Sequence, residues 1–326
     1  MTRPSLPVVN VAVAVVQRSD GRVLLAERPK GKVSGGFWEF PGGKFEIAED
    51  ARRALARELH EEVGVELETA YPWMTYDHAY DNKVVRLHVF RVLSWRGTPR
   101  GREGQRIAWE DPAAVTVAPL LPANGRVLQA LNLPPVYAIT HARKYGVSDF
   151  MPRLVAALEA GVRLIQVREL WMTSEQLAQF ARRVTVLARR YQARVLVNGD
   201  VAAALRAGAD GVHLQAEQLM RLSAPPVTGF WAASCHRPEE LSQAARLHAN
   251  FVVVSQVLPT ASHPGRPGLG WDRFAAMTRN CPVPVYALGG MRLDLLEQAM
   301  RHGAHGVALL SEVWHPGRQA ASGRSR

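Results

Sequence analysis

Cysteine is nearly absent from this chain: Cys235 and Cys281 are the two among 326 residues. Two thiols make no disulfide framework, and a reducing cytoplasm is the expected compartment. Long hydrophobic runs are missing too. Nothing approaches the roughly 18 consecutive apolar residues of a membrane-spanning helix, so no membrane partner is expected. The opening MTRPSLPVVNVAVAVVQ lacks the longer apolar region and cleavage site of a signal peptide, and reads instead as a strand running into a turn. There is no block of Lys and Arg and no recognisable nucleic-acid module. The formal charge of +11 is spread along the chain, which favours small anionic partners such as nucleotides and phosphates over specific DNA binding. What the chain does have is 47% hydrophobic residues, enough to bury sizeable cores, and a length of about two domains. It carries no signal for an oligomeric state.

One stretch stands out, Gly43 to Val65, reading GKFEIAEDARRALARELHEEVGV. A glycine-ended turn precedes a helix expected over Ala51 to Val63, with acids Glu49 and Asp50 at its positive end and Gly64 as its C-cap. Glu58, Glu61 and Glu62 stand at i, i+3 and i+4, so their carboxylates converge. Like charges at that spacing repel, and a cation would relieve them. Hard oxygen ligands suit Mg²⁺ or Mn²⁺, and Mg²⁺ commonly shares its shell with substrate phosphates.

Around this stretch, Val8 to Val16 reads as a strand. Asp20-Gly21 is a hairpin signal, with Val23 to Ala26 as the return strand. Strand-like runs near Tyr71–His78 and Val84–Leu93 are joined by Asp81-Asn82-Lys83. A loop from Arg96 to Gln105 carries Glu103, and a short helix spans Gly125 to Leu131. Prolines then mark a linker over 132–135. The expected division is residues 1–131, the linker, 136–313, and a disordered tail over 314–326.

The sequence fills G-x5-E-x7-R-E-x-x-E-E-x-G-V without a gap through Gly43, Glu49, Arg57, Glu58, Glu61, Glu62, Gly64 and Val65. On that pattern the first half resembles the Nudix hydrolases. The resemblance implies an α/β/α sandwich and hydrolysis of a nucleoside diphosphate linked to another group. It implies Glu58, Glu61 and Glu62 as metal ligands, with the carbonyl of Gly42 or Gly43 joining them and Arg57 orienting the helix carboxylates. Phe40-Pro41-Gly42-Gly43-Lys44, Trp95-x-Gly97, Gly101-x-Glu103-Gly104-Gln105 and Pro122-Ala123-Asn124 narrow it to the MutT type, which acts on 8-oxo-dGTP. That narrower resemblance implies Glu103 as the loop acid completing the site and Asn124 as the reader of an oxidised purine edge. A helix N-cap is the alternative role for Asn124. Arg28 and Lys44 are placed for phosphate. Glu39, Phe40 and Tyr80 are further expected substrate contacts, with Leu121 beside them, and Asp81 or Asn82 lies near the opposite strand. Glu61, Glu62 and Glu103 are all candidates for the base.

From Val136 the rhythm becomes strand, helix, strand, helix, with eight apolar runs. Three helix ends share a glycine cap followed by a buried strand, at 159–162, 207–212 and 302–307. This argues for a (β/α)8 TIM barrel, with a doubly wound sheet as the alternative. Tyr137-Ala138-Ile139-Thr140, Gln166-Val167-Arg168-Glu169, Val197-Asn198, the Gly208–Leu214 stretch, Ser234-Cys235-His236, Pro259-Thr260, Gly289-Gly290 and Gly306–Ser311 resemble the thiamine-phosphate synthase and thiazole tautomerase family. The resemblance implies a thiamine-related phosphate at the barrel mouth, contacted by Gln166, Arg168, Asn198, His236, Thr260, Gly289, Gly290 and Ser311. Four positions depart from the synthase pattern. Leu170 and a residue near His263 stand where lysines belong. Gly199, with Asp200 one place on, and Gln218 stand where two metal-binding aspartates belong. These departures argue against synthase activity and leave His236 as an acid/base for a metal-free reaction.

Overall fold

The computed structural model describes residues 6–315 apart from 228, 261–264 and 266. His263 and the tail residues 316–326 lie outside the described residues. The chain divides into two compact units: residues up to Leu133 together with Arg279–Pro282 form the first, and Pro134–Thr278 with the residues from Val283 onward form the second.

The first unit holds β1 (Val8–Val16), β2 (Val23–Glu27), β3 (Trp38–Glu39), β4 (Gly42–Lys44), α1 (Ala51–Glu58), β5 (Glu66–Tyr80), β6 (Lys83–Arg96), β7 (Ile107–Glu110) and α2 (Gly125–Leu131). Two sheets form, ordered β4-β1-β6-β5 and β3-β2-β7. The hairpin expected at Asp20-Gly21 is corrected here. The turn is present, with Arg18 N–H donating to Arg22 O, but β1 and β2 enter different sheets. The reason is that both edges of β1 are taken, antiparallel by β4 and parallel by β6. Its alternation serves two cores. Ala12, Ala14 and Val16 meet Leu55, Leu59 and Val63 on one side. Val13 and Val15 meet Val127 and Leu128 of α2 on the other. The expected sandwich is therefore a sheet between two helices. The four-residue β7 had no expectation; it pairs with β2.

The carboxylate helix also departs from expectation. It is α-helical only to Glu58 and continues as a π turn over Leu59–Val63 before Gly64, whose φ of 72° closes it. Asp50 caps the other end, its side chain accepting from the Arg52 and Arg53 N–H groups at 2.9 Å.

The second unit is a closed eight-stranded parallel barrel, and the doubly wound alternative is excluded. Its elements run β8 (Val136–Ile139), α3 (Ala142–Tyr145), α4 (Val147–Glu159), β9 (Leu164–Val167), α5 (Ser174–Arg189), β10 (Arg194–Asn198), α6 (Val201–Ala207), β11 (Gly211–Leu214), α7 (Ala216–Met220), β12 (Phe230–Cys235), α8 (Pro238–Arg246), β13 (Phe251–Ser255), α9 (Trp271–Thr278), β14 (Val285–Leu288), α10 (Leu296–Arg301) and β15 (Gly306–Leu309). The strands are buried on both faces, as a parallel barrel requires. The short helices α3 and α7 had no expectation either. Two boundaries are corrected. Pro135, expected in the linker, accepts from Val307 N–H at 2.9 Å, so barrel bonding starts before β8. Trp314, expected in the tail, is 1% exposed in a 3₁₀ turn, and its indole N–H donates to Ile139 O at 2.8 Å.

Candidate functional site

In the first unit the chemistry gathers between β4 and the C-terminal end of α1. Glu58 folds its carboxylate over Gly43: a Cβ added there would stand 2.0 Å from Glu58 Oε1. No residue larger than glycine leaves Glu58 in that place. One turn on, Glu62 Oε2 accepts from Gly42 N–H at 3.0 Å. Burial pushes the Glu62 carboxyl up to about 8, the Gly42 N–H opposes the rise, and the charges of Glu39, Glu58 and Glu103 add to it. Burial also raises Glu58 and Glu39, against the pull of Arg57 on one and Arg28 on the other.

Arg57 binds the acids together. Its guanidinium donates to Glu58 at 2.9 Å, to Glu61 at 3.1 Å, to Glu49 at 2.9 and 3.1 Å, and to Lys44 O at 2.9 Å. Of the three expected glutamates, Glu58 and Glu61 meet on one nitrogen of Arg57, Nη1, while Glu62, beyond the start of the π turn, turns to the Gly42 N–H. Glu61 is the most exposed of the three. Glu103 lies on its loop, paired with Lys32 at 2.6 Å. The buried Gln105 ties that loop to the helix, donating to Glu62 O at 2.9 Å and accepting from Glu103 N–H at 2.8 Å.

Among the described residues no group of three His, Cys, Asp or Glu side chains is already gathered for a metal ion. Arg57 and Lys32 hold Glu58, Glu61 and Glu103. The donor set still fits a hard divalent cation. Every candidate donor is an oxygen, and Glu62 is a half-buried carboxylate with no cationic partner within 4 Å among the described residues.

The expected substrate residues fall into two groups. Arg28 is committed to Glu39 and, through Nε, to Val33 O at 2.9 Å. Lys44 is exposed, and Tyr80 is partly buried with Lys83 over its ring. Phe40, expected to line a base pocket, is 3% exposed and belongs to the core with Trp38 and Tyr76. Asn124 is 4% exposed, in a 3₁₀ turn over Pro122–Asn124. Its side chain does not cap α2; its Nδ2 makes one long contact, 3.4 Å, to Trp38 O.

In the second unit a cavity of about 1000 Å³ opens at the C-terminal ends of the strands. Gln166, Arg168, Asn198, His236, Thr260, Gly289, Gly290 and Ser311 all line it. His236 donates from Nδ1 to Ser255 O at 2.9 Å, which leaves Nε2 as the acceptor. The two positions where acids belong are bonded to each other: Gln218 Nε2 donates to Gly199 O at 2.7 Å. Gly199 has φ of 70°. Asp200 is turned away to cap α6, accepting from Ala203 N–H at 2.8 Å. Glu312 is the one acid on the described wall, and its Oε2 accepts from Leu293 N–H at 2.9 Å. Leu170 stands two-thirds exposed on the rim. This wall does not fit a Mg²⁺–diphosphate.

Sequence reasoning missed Lys32, Gln105, Tyr137, His213 and Ser234. Gln105 and His213 sit inside stretches that carried the resemblances, but nothing in one sequence says which member of a stretch turns inward.

Residues 12–130 match the family described as NUDIX domain, and residues 136–313 match that described as thiamine monophosphate synthase. The second half is similar to a putative thiamine-phosphate synthase 2 of Aquifex aeolicus, 33% identical over 186 residues, 56% of this chain and 98% of that protein. The first half is similar to the CTP pyrophosphohydrolase of Escherichia coli, 35% identical over 125 residues, 38% of this chain and 92% of that protein. It is also similar to the 8-oxo-dGTP diphosphatase of Haemophilus influenzae, 32% identical over 124 residues, 38% of this chain and 91% of that protein.

Proposed function

Since the chain belongs to the NUDIX domain family through residues 12–130 and to the thiamine monophosphate synthase family through residues 136–313, we propose that its first unit is a Mg²⁺-dependent nucleoside triphosphate diphosphatase acting on 8-oxo-dGTP. Mn²⁺ would substitute for Mg²⁺. The products are 8-oxo-dGMP and pyrophosphate, and the consequence is a nucleotide pool cleared of oxidised guanine before DNA replication. The observation carrying this reading is Glu62, a half-buried carboxylate within the field of Glu58 and without a counter-cation among the described residues.

Glu58, Glu61 and Glu62, with Glu103 and a main-chain carbonyl of Gly42 or Gly43, would hold the cation. Bound there, it neutralises phosphate charge and lowers the pKa of the attacking water. Arg57 keeps the helix carboxylates in register through five hydrogen bonds. Water attacks phosphorus at the α–β bridge, the bond to the bridging oxygen breaks, and pyrophosphate leaves. Glu103, on a glycine-flanked loop and 41% exposed, takes the water's proton. Lys44 would contact the phosphates, as would Arg28 on leaving Glu39. Asn124, free of helix capping, offers a donor and an acceptor to the purine edge.

A nucleotide panel tests the reading. Preferred turnover of 8-oxo-dGTP over dGTP and CTP supports it. Equal, slow turnover of all three sinks the substrate, and preference for CTP moves the reading toward the E. coli relative. Glu62→Gln must abolish hydrolysis.

The Gly199–Gln218 hydrogen bond favours a second reading for the barrel: a tautomerase-like or phosphate-binding module, not a synthase. His236 Nε2 would move the proton. Calorimetric titration of the full chain with thiamine monophosphate tests this, and no binding at millimolar ligand removes it.

A further inference from the structure

A line of polar side chains crosses the floor of the barrel cavity. Asn198 Nδ2 lies 3.5 Å from the main-chain oxygen of His213 and 3.4 Å from Gln166 Oε1. Gln166 Nε2 is 3.1 Å from Tyr137 Oη, and Tyr137 Oη is 3.2 Å from His213 Nδ1. His213 Nε2 is 2.9 Å from Ser234 Oγ. Gln166, Tyr137 and His213 are at most 2% exposed, so each polar atom needs its partner inside the line.

That line has one direction, fixed by its start. A main-chain carbonyl only accepts, so Asn198 turns its amide N–H groups to His213 O and to Gln166 Oε1. Gln166 must then donate from Nε2 to Tyr137. The phenol has one proton, and its remaining partner is His213 Nδ1, which must accept. The imidazole proton is therefore on Nε2 and is donated to Ser234 Oγ. The Ser234 hydroxyl proton is left, with no further partner among the described residues and with the cavity beside it. Burial keeps the imidazole neutral, down to about 3, and the nearby Arg168 charge assists, so the ring does not take a second proton and reverse the line.

We propose that His213 is a positioning residue: held as the Nε2–H tautomer by Tyr137, it commits the Ser234 hydroxyl to donate into the cavity, where Ser234 and Arg168 together receive an anionic oxygen such as that of a phosphate. The opposite polarity would make Ser234 an acceptor and select a ligand with a donor instead. The inference does not depend on nucleotide hydrolysis by the first unit, and its failure would leave that reading standing.

Imidazole ¹⁵N spectra of the full chain decide the tautomer. His213 should show a protonated Nε2 and a bare Nδ1 from pH 5 to 8, and Tyr137→Phe should release the preference. Inorganic phosphate, titrated while following the His213 resonances, then reads the consequence. Ser234→Ala should weaken binding about tenfold to a hundredfold, the worth of one hydrogen bond to a charged group. Tyr137→Phe should weaken it several-fold although Tyr137 does not line the cavity, and Ser234→Thr should keep it. An Nδ1–H tautomer in the unmodified chain overturns the proposal. So does phosphate affinity unchanged in Ser234→Ala, or no phosphate response at His213 at all.

Discussion

Glu62→Gln should make the metal-free protein more stable at pH 8 while it abolishes hydrolysis. Burial holds the Glu62 carboxyl up at about 8, against an ordinary 4.5. Between those pH values the folded chain keeps a proton that the unfolded chain has released. The group's favourable contribution is complete below 4.5 and is lost as the pH climbs through about 8. At about 1.36 kcal/mol per tenfold change, the gap sets a ceiling near 5 kcal/mol. A site open to water realises less, about 2 kcal/mol. Glutamine keeps an oxygen for the Gly42 N–H and has no charge to bury, so it loses nothing over that range. Calorimetry of the full chain in chelator should place the variant's unfolding midpoint roughly 6 °C above wild type at pH 8, with the two close together at pH 5. Saturating Mg²⁺ should reverse the order at pH 8, because only the carboxylate binds it well. A variant less stable than wild type at pH 8 in chelator would refute the reasoning, as would an equal gap at both pH values.

Gly43→Ala should keep the fold, since the atom it meets is the free end of Glu58, yet cut kcat by about 100-fold or more and raise the Mg²⁺ concentration needed; a Mg²⁺ titration of activity checks both. Asn124→Ala should lower kcat/KM for 8-oxo-dGTP relative to dGTP by about 100-fold. Its midpoint should stay within about 2 °C of wild type, because the long contact it loses goes to Trp38 O, which already accepts from Leu121 N–H. Phosphate binding at the barrel should be the same with and without chelator, and a chelator-sensitive affinity would reinstate a metal there.

The second unit's fold was legible because short apolar runs alternate with helices, three of which end on a glycine before the next strand, and that rhythm survives without any knowledge of partners. Pairing in the first unit was less legible. Asp20-Gly21 specifies a turn, but a turn does not say whether its two strands share a sheet; β4 and β6 decided that by occupying both edges of β1. In the site, residue types and spacing gave Glu58, Glu61, Glu62 and Arg57. They could not say that Glu58 and Glu61 share Arg57 while Glu62 turns to the Gly42 N–H, since an α-helical wheel assumes about 3.6 residues per turn and the chain adopts a π turn there. Lys32 and Gln105 were invisible because their roles come from contacts more than 40 residues away. In the barrel, the departures at Gly199 and Gln218 could be read as losses. That the two side by side form a neutral hydrogen bond needed three dimensions.

The π turn over Leu59–Val63 also limits what lengths of chain this segment can accept. A π turn contains about one residue more than an α-helix needs for the same path. Deleting any one of the five would let the segment relax into ordinary helix, at a gain in local regularity. Everything beyond the deletion would then rotate by about 100°, carrying Gly64 out of its closing position and separating Gln105 from the Glu62 carbonyl it holds. Substitutions at the exposed His60 should pass with little effect, while a one-residue deletion beside it should silence the site. The count of residues between Glu58 and Gly64 is as strictly required as the acids themselves.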